Sequence, residues 1–190
     1  ILSATNTYSG GTILQNGELI LGNNSALAAG NLTIQNGATL GLQNGLNVSN
    51  TMLLNGSVRI DLFGAGATFS GAINGTGSVT IDGTGTLVLT GTNTFTGDMT
   101  IAGGTVFINQ LTNLGDGSSL IFSGGDLQVG GNLTTNKTIQ VTSNSTITTN
   151  NGFTTNFTGT LVGSSGVALT LNGPGTNAFS TIEVNSGLFT

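Results

Sequence analysis

The feature that most constrains this chain is a long-range repeat. Thr5-Asn6-Thr7-Tyr8-Ser9-Gly10 returns as Thr92-Asn93-Thr94-Phe95-Thr96-Gly97, an offset of 87 residues. The same offset pairs Leu14 with Ile101, Leu19 with Val106, Leu21 with Ile108, Leu40 with Leu127 and Met52 with Ile139. Leu32 and Ile34 match Leu120 and Phe122 better, a slip of one residue that predicts a local bulge. Phe69-Ser70-Gly71-Ala72-Ile73 matches Phe157-Thr158-Gly159-Thr160-Leu161, and a third copy opens at Gly175-Thr176-Asn177-Ala178-Phe179-Ser180. We divide residues 1–190 into two long units, about 4–90 and 91–174, and the start of a third at 175–190. Repetition on this scale favours a solenoid or array.

Within each unit the period is two. Ser57-Val58-Arg59-Ile60-Asp61-Leu62, Ser78-Val79-Thr80-Ile81, Thr86-Leu87-Val88-Leu89-Thr90 and Thr138-Ile139-Gln140-Val141 alternate polar and apolar residues. That is the pattern of half-buried strands, and the β-branched residues suit a pleated surface. Short strands end in Asn-Gly at 16–17, 36–37, 44–45, 55–56, 74–75, 151–152 and 172–173, where sharp corners need φ > 0. An antiparallel sandwich or barrel would also show short strands and turns. The long repeat favours a parallel β-helix (β-solenoid), in which each strand stacks on its equivalent one winding later. With turns of roughly 18–24 residues at about 4.8 Å each, the chain makes about eight or nine rungs and a rod about 40 Å long. The fold class is therefore all-β, with no helices. Leu14, Leu19, Leu21, Leu87, Leu89, Ile101, Val106, Ile108, Leu169 and Leu171 are expected to point inward in continuous rows. Ile20 and Phe107 then point outward and pack on neighbouring elements. Asn and Thr at equivalent positions are expected to form hydrogen-bonded ladders.

Composition excludes several functions. Gly (33), Thr (33), Asn (23) and Ser (16) make up 105 of 190 residues, with no Cys, His or Trp. The helix formers Lys, Glu, Gln and Arg are nearly absent, which argues against an α-rich protein. Hydrophobic residues are 36%, more than ordinary disordered chains carry. Arg59 and Lys137 are the only cations, too few to neutralise a phosphate backbone, so no nucleic-acid partner is expected. No run reaches the roughly 18 apolar residues of a membrane helix, and no membrane insertion by this segment is expected. Ile1 to Gly10 carries neither the basic nor the apolar region of a signal peptide, and the chain opens in mid-pattern, so it reads as an excised or processed piece.

The stretch Gly83-Thr84-Gly85-Thr86-Leu87-Val88-Leu89-Thr90-Gly91-Thr92-Asn93-Thr94-Phe95-Thr96-Gly97, followed by Gly103-Gly104-Thr105-Val106, resembles the autotransporter-associated β-strand repeat, also called the passenger-associated transport repeat. Leu2-Ser3-Ala4-Thr5-Asn6-Thr7-Tyr8-Ser9-Gly10-Gly11-Thr12 through Gly17-Glu18-Leu19 resembles the same pattern from its middle onward. The third copy departs from it, with Ala178 in place of Thr. The resemblance implies a passenger of type V secretion: a right-handed parallel β-helix, exported across the outer membrane to the extracellular space or cell surface of a Gram-negative bacterium. It also implies a role for the repeat in folding outside the cell, and a C-terminal translocator barrel in the complete protein. A coil whose windings dock one on another folds by propagation, without ATP.

Catalytic material is scarce. Asp82 and Asp98 could lie on neighbouring rungs as a carboxylate pair, but each sits near a turn, where Asp is ordinary. Gly115-Asp116-Gly117 and Gly124-Gly125-Asp126-Leu127 are similar to calcium-binding nonapeptides, yet they lack the nine-residue recurrence and read as turns. Gly75-Thr76-Gly77 and Gly83-Thr84-Gly85 are not nucleotide loops, because no helix or Lys follows. Tyr8, Phe95 and Phe179 share one repeat position and are expected to staple a corner by stacking. The Asn-x-Ser/Thr sequons at Asn31, Asn47, Asn74, Asn132, Asn136, Asn144 and Asn156 arise from composition. No catalytic, cofactor-binding or metal-binding residues and no cofactor are assigned.

The first functional reading is a non-catalytic structural stalk or adhesin segment of a secreted, autotransporter-like passenger on the bacterial surface, with a host surface protein or glycan as partner. One alternative is a self-assembling extracellular filament subunit that stacks head to tail through uncapped β-helix ends. The other is a carbohydrate-active β-helix enzyme.

Overall fold

The computed structural model of the protein describes residues 1–182. Every strand pairing among them is parallel. The chain winds into a β-solenoid of about eight turns with three faces per turn. The order of strands shows the winding. Leu32–Gln35 lies on one face, Thr39–Gln43 on the next and Asn47–Val48 on another, before Met52–Asn55 returns to pair with Leu32–Gln35. We call the face of Thr39–Gln43 the first, that of Asn47–Val48 the second and that of Leu32–Gln35 the third. The longest strands, Val58–Phe69 and Val79–Leu89, run across the first and second faces and bend at a register shift between Phe63 and Gly66. The sole helical element among the described residues is a four-residue 3₁₀ turn, Leu111–Leu114, on the third face.

Columns of apolar side chains form because alternation sends every second residue inward and parallel register repeats that choice at each turn. On the first face the column runs Leu19, Leu40, Ile60, Ile81, Ile101, Phe122, Val141, Gly163. On the second it runs Ala67, Leu87, Val106, Leu127, Ile147, Leu171. Leu14, Ile34 and Leu54 form a column on the third. Leu21, Leu87, Leu89, Ile101, Val106 and Ile108 are buried as expected, whereas Leu14, Leu19 and Leu169 pack against the core from partly covered positions. Leu171 departs from the expectation. It sits in register on Ile147 but is 44% exposed, because Leu169–Asn172 is the last described strand of its face. Ile20 and Phe107 face outward and pack on neighbours: Ile20 lies over Gly41, and Phe107 crosses Gly130.

All seven Asn-Gly corners place their glycine at positive φ, for example +80° at Gly37 and +81° at Gly152, in the region that L side chains avoid. A register shift lies between Phe122 and Ser123, beside the slip seen in the sequence.

The motif copies are not spatial equivalents. Leu19 shares its column with Ile101, while its sequence match Val106 stacks on Leu87 on the second face. Thr5-Asn6-Thr7-Tyr8 precedes the third-face strand Thr12–Leu14 and so lies on the second face, where the Asn6 N–H donates to Ser25 O. Thr92-Asn93-Thr94-Phe95 precedes the first-face strand Met99–Ile101 and lies on the third. Four turns along the first-face column take 82 residues, from Leu19 to Ile101. The 87-residue offset therefore carries the motif through four turns and on by one face.

Candidate functional site

Asn93 is the centre of the second motif copy. It is 2% exposed. Its Oδ1 accepts the Ile73 N–H at 2.9 Å from the preceding turn, and its Nδ2 donates to Asn113 O at 2.6 Å in the following one. Asn113, fully buried, donates back to Gly91 O at 2.9 Å and accepts the N–H groups of Asn109 and Gln110. These two amides tie three turns together where the third face lacks a regular strand, at Thr92–Phe95 and at the 3₁₀ turn. A side-chain amide offers both donor and acceptor, which is what orphaned backbone groups of both kinds require.

A second device recurs at other corners. Asn24, Asn36, Asn132 and Asn144 each accept, through Oδ1, a backbone N–H 21 to 24 residues later. Asp98 and Asp126 do the same through a carboxylate oxygen, to the Ser119 N–H at 2.8 Å and the Thr146 N–H at 2.6 Å. The expected Asn and Thr ladders thus take another form: most of these side chains meet the next turn's backbone. Thr94, whose Oγ1 donates to Asn74 Oδ1 at 2.8 Å at the matching position of the turn before, is a side-chain pair of the expected kind.

The candidate carboxylate pair is not assembled. Asp98 opposes the residue preceding Val79, while Asp82 lies three residues beyond Val79 on the same strand. Asp82 is engaged by Arg59 at 2.8 Å and by its neighbour's N–H, Gly83. Arg59 also reaches Asp61 at 3.4 Å. Its side chain is 46% exposed, so these ion pairs contribute about 0–1 kcal/mol. Gly75 closes the strand Ile73–Gly75, and Gly83 and Gly85 lie inside Val79–Leu89. The shared aromatic position splits three ways. Phe95 is fully buried, with its ring against Gly115. Phe179 stacks on Phe157, with centroids 4.7 Å apart. Tyr8 is 37% exposed and hydrogen-bonds to Thr12 Oγ1 at 2.6 Å.

A feature not anticipated from the sequence lies at Lys137. One corner carries a stack of glycines, Gly56, Gly77, Gly97 and Gly117, in which a Cβ on each later member would collide with the backbone of the one before. Lys137 occupies the next position of the stack, and Gly159 follows it. Lys137 is 7% exposed, and its Nζ donates to Gly117 O. Burial pushes its ammonium below the usual lysine range, opposed by the nearby carboxylates of Asp116 and Asp98. Beside it opens a cleft of about 380 Å³ between the 3₁₀ turn and the Lys137 corner.

The depressed pKa fixes the sign of a pH effect. A base whose folded pKa lies below its unfolded value binds more protons when unfolded, so stability rises as pH increases through the window between the two. Urea unfolding at stepped pH toward 10.5 should show this rise in the native chain and a flatter profile in Lys137→Met; identical profiles would contradict it.

A family model described as Passenger-associated-transport-repeat matches residues 1–21 and 79–106. The chain thus carries the passenger repeat that its sequence resembles, which sets it in an autotransporter passenger context and is consistent with a structural role. The family implies export to the extracellular space or surface. No curated protein matches the chain, and no solved structure does.

Proposed function

We propose that this chain is a stiff, non-catalytic stalk or adhesin segment of a passenger displayed on or released from a Gram-negative cell surface. The observation that carries the reading is the placement of the matched repeat: both matched segments run from a strand through a tight corner into a second strand, Thr12–Leu14 into Glu18–Leu21 and Met99–Ile101 into the start of Thr105–Ile108. The motif is thus spent on winding the coil. The carboxylates support a non-catalytic reading, since Asp82, Asp98 and Asp126 hold backbone N–H groups in place. Parallel windings with a common dry core make a rod that resists bending, which suits projection of a distal region.

Fusing residues 1–190 between an epitope tag and an autotransporter translocator barrel in a Gram-negative host tests this. The tag is expected on the surface of intact cells, with the segment resistant to added protease. Retention of the segment in the periplasm, or rapid surface proteolysis, would refute the reading.

A further inference from the structure

We propose that the cleft beside Lys137 is a binding site for an uncharged, hydroxyl-rich ligand, a terminal sugar residue of a neutral glycan. Every preceding member of the glycine stack from Gly77 to Gly117 is packed so closely on the turn before it that no side chain fits. Lysine at this position needs room that glycine does not, and the cleft lies there. The ammonium has three donors, and the Gly117 carbonyl is its one hydrogen-bond partner among the described residues. A buried ammonium with unmet donors is unfavourable, so oxygen atoms in the cleft, from water or ligand, complete its shell.

The chemistry of the lining selects the ligand. Lys137 supplies donors, and the exposed carboxylate of Asp116 supplies acceptors. Ser118 and Thr135 line the cleft with hydroxyls, and Leu111 provides an apolar surface. Sugar hydroxyls donate and accept at once and so satisfy both kinds of group, while a ring's C–H face lies on the leucine. Asp98 and Asp116 outweigh the single ammonium, leaving a local charge of −1, which disfavours anionic sugars. A volume of about 380 Å³ is at the small end of ligand sites, which run roughly 300–1,000 Å³, and accommodates one or two sugar rings. This site is independent of the secretion reading and is tested on purified protein.

The experiment is saturation-transfer and amide-shift NMR of the 190-residue chain with a panel of neutral methyl hexosides, a methyl uronate and a short neutral peptide. A neutral hexoside is expected to bind saturably with Kd on the order of 1 mM, as expected for about a dozen heavy atoms, and to shift the amides of Gly117 and Lys137. Lys137→Gly, which restores the glycine stack, should weaken binding at least tenfold with unchanged circular dichroism. Asp116→Asn, at an exposed position, should weaken it about threefold. Saturable binding of no hexoside, preference for the uronate or the peptide, or equal binding by Lys137→Gly would each overturn the proposal.

Discussion

Asn93→Ala lowers the stability of the folded chain by about 2–6 kcal/mol, because it leaves two buried backbone groups without partners at about 1–3 kcal/mol each. The groups are the Ile73 N–H and the Asn113 carbonyl. Ile73 opens the strand Ile73–Gly75, but the segment facing its N–H, Thr92–Phe95, is not a strand, and Asn113 lies in the 3₁₀ turn, so no strand residue stands ready to replace the amide. Coupled turns need not unfold in one step, so the local measurement is the more informative. Hydrogen exchange at the Ile73 amide should accelerate far more than at Ile147, whose turn lies well away from the substitution. Asn93→Asp keeps the acceptor but sets a carboxylate against the Asn113 carbonyl, and should be at least as damaging. A loss below about 1 kcal/mol in the alanine variant would mean that water or a shifted backbone replaces the amide.

Gly117→Ala is the second large effect. The added Cβ falls on the Gly97 carbonyl of the preceding turn, and both partners are backbone, so relief requires the two turns to separate along the rod. Separation weakens adjacent ladder bonds as well. A loss of about 3 kcal/mol or more is expected, in the range that overpacking and backbone strain produce. Gly10→Ala is the matched control, since a Cβ there meets nothing within 4 Å and its φ is not positive. That substitution should change stability by less than about 1 kcal/mol. Thermal unfolding of the pair reads the contrast, and similar midpoints would contradict the close packing of the glycine corner.

Much of the fold was legible because it rests on periods. Two-residue alternation at Val79-Thr80-Ile81 assigned inward and outward sides without tertiary information, and Asn36-Gly37 marked a corner because the backbone there demands a left-handed residue. The three-faced cross-section was less accessible. An offset of 87 residues, about four turns of the expected length, does not reveal whether it closes on the same face. Pairing Leu19 with Val106 was correct as a sequence match and differs from the stacking, which places Leu19 with Ile101. Leu171 is a limit of another kind: alternation assigns the direction of a side chain, whereas burial depends on what is stacked above it.

The site was harder to read, for a physical reason. Asn93 looks like any other Asn in a chain with 23 of them, and its bridging role depends on backbone groups 20 residues away in each direction. Lys137 carried a usable signal. Glycines at 56, 77, 97 and 117 fall 20 or 21 residues apart, and the next interval lands on the only lysine of the chain. A break in a regular spacing says more than the residue type alone, since it locates the corner, directly above four stacked glycines, where a side chain replaces a hydrogen atom.

The displacement of the passenger motif by one face has a consequence for how such rods diversify. The motif behaves as a portable bend, indifferent to compass direction, so duplicated copies need not line up on one flank. Loops grafted next to successive copies would project along different bearings, like steps on a spiral stair. A gene that lengthens by copying this unit can therefore surround its axis with decoration while leaving the interior columns unbroken.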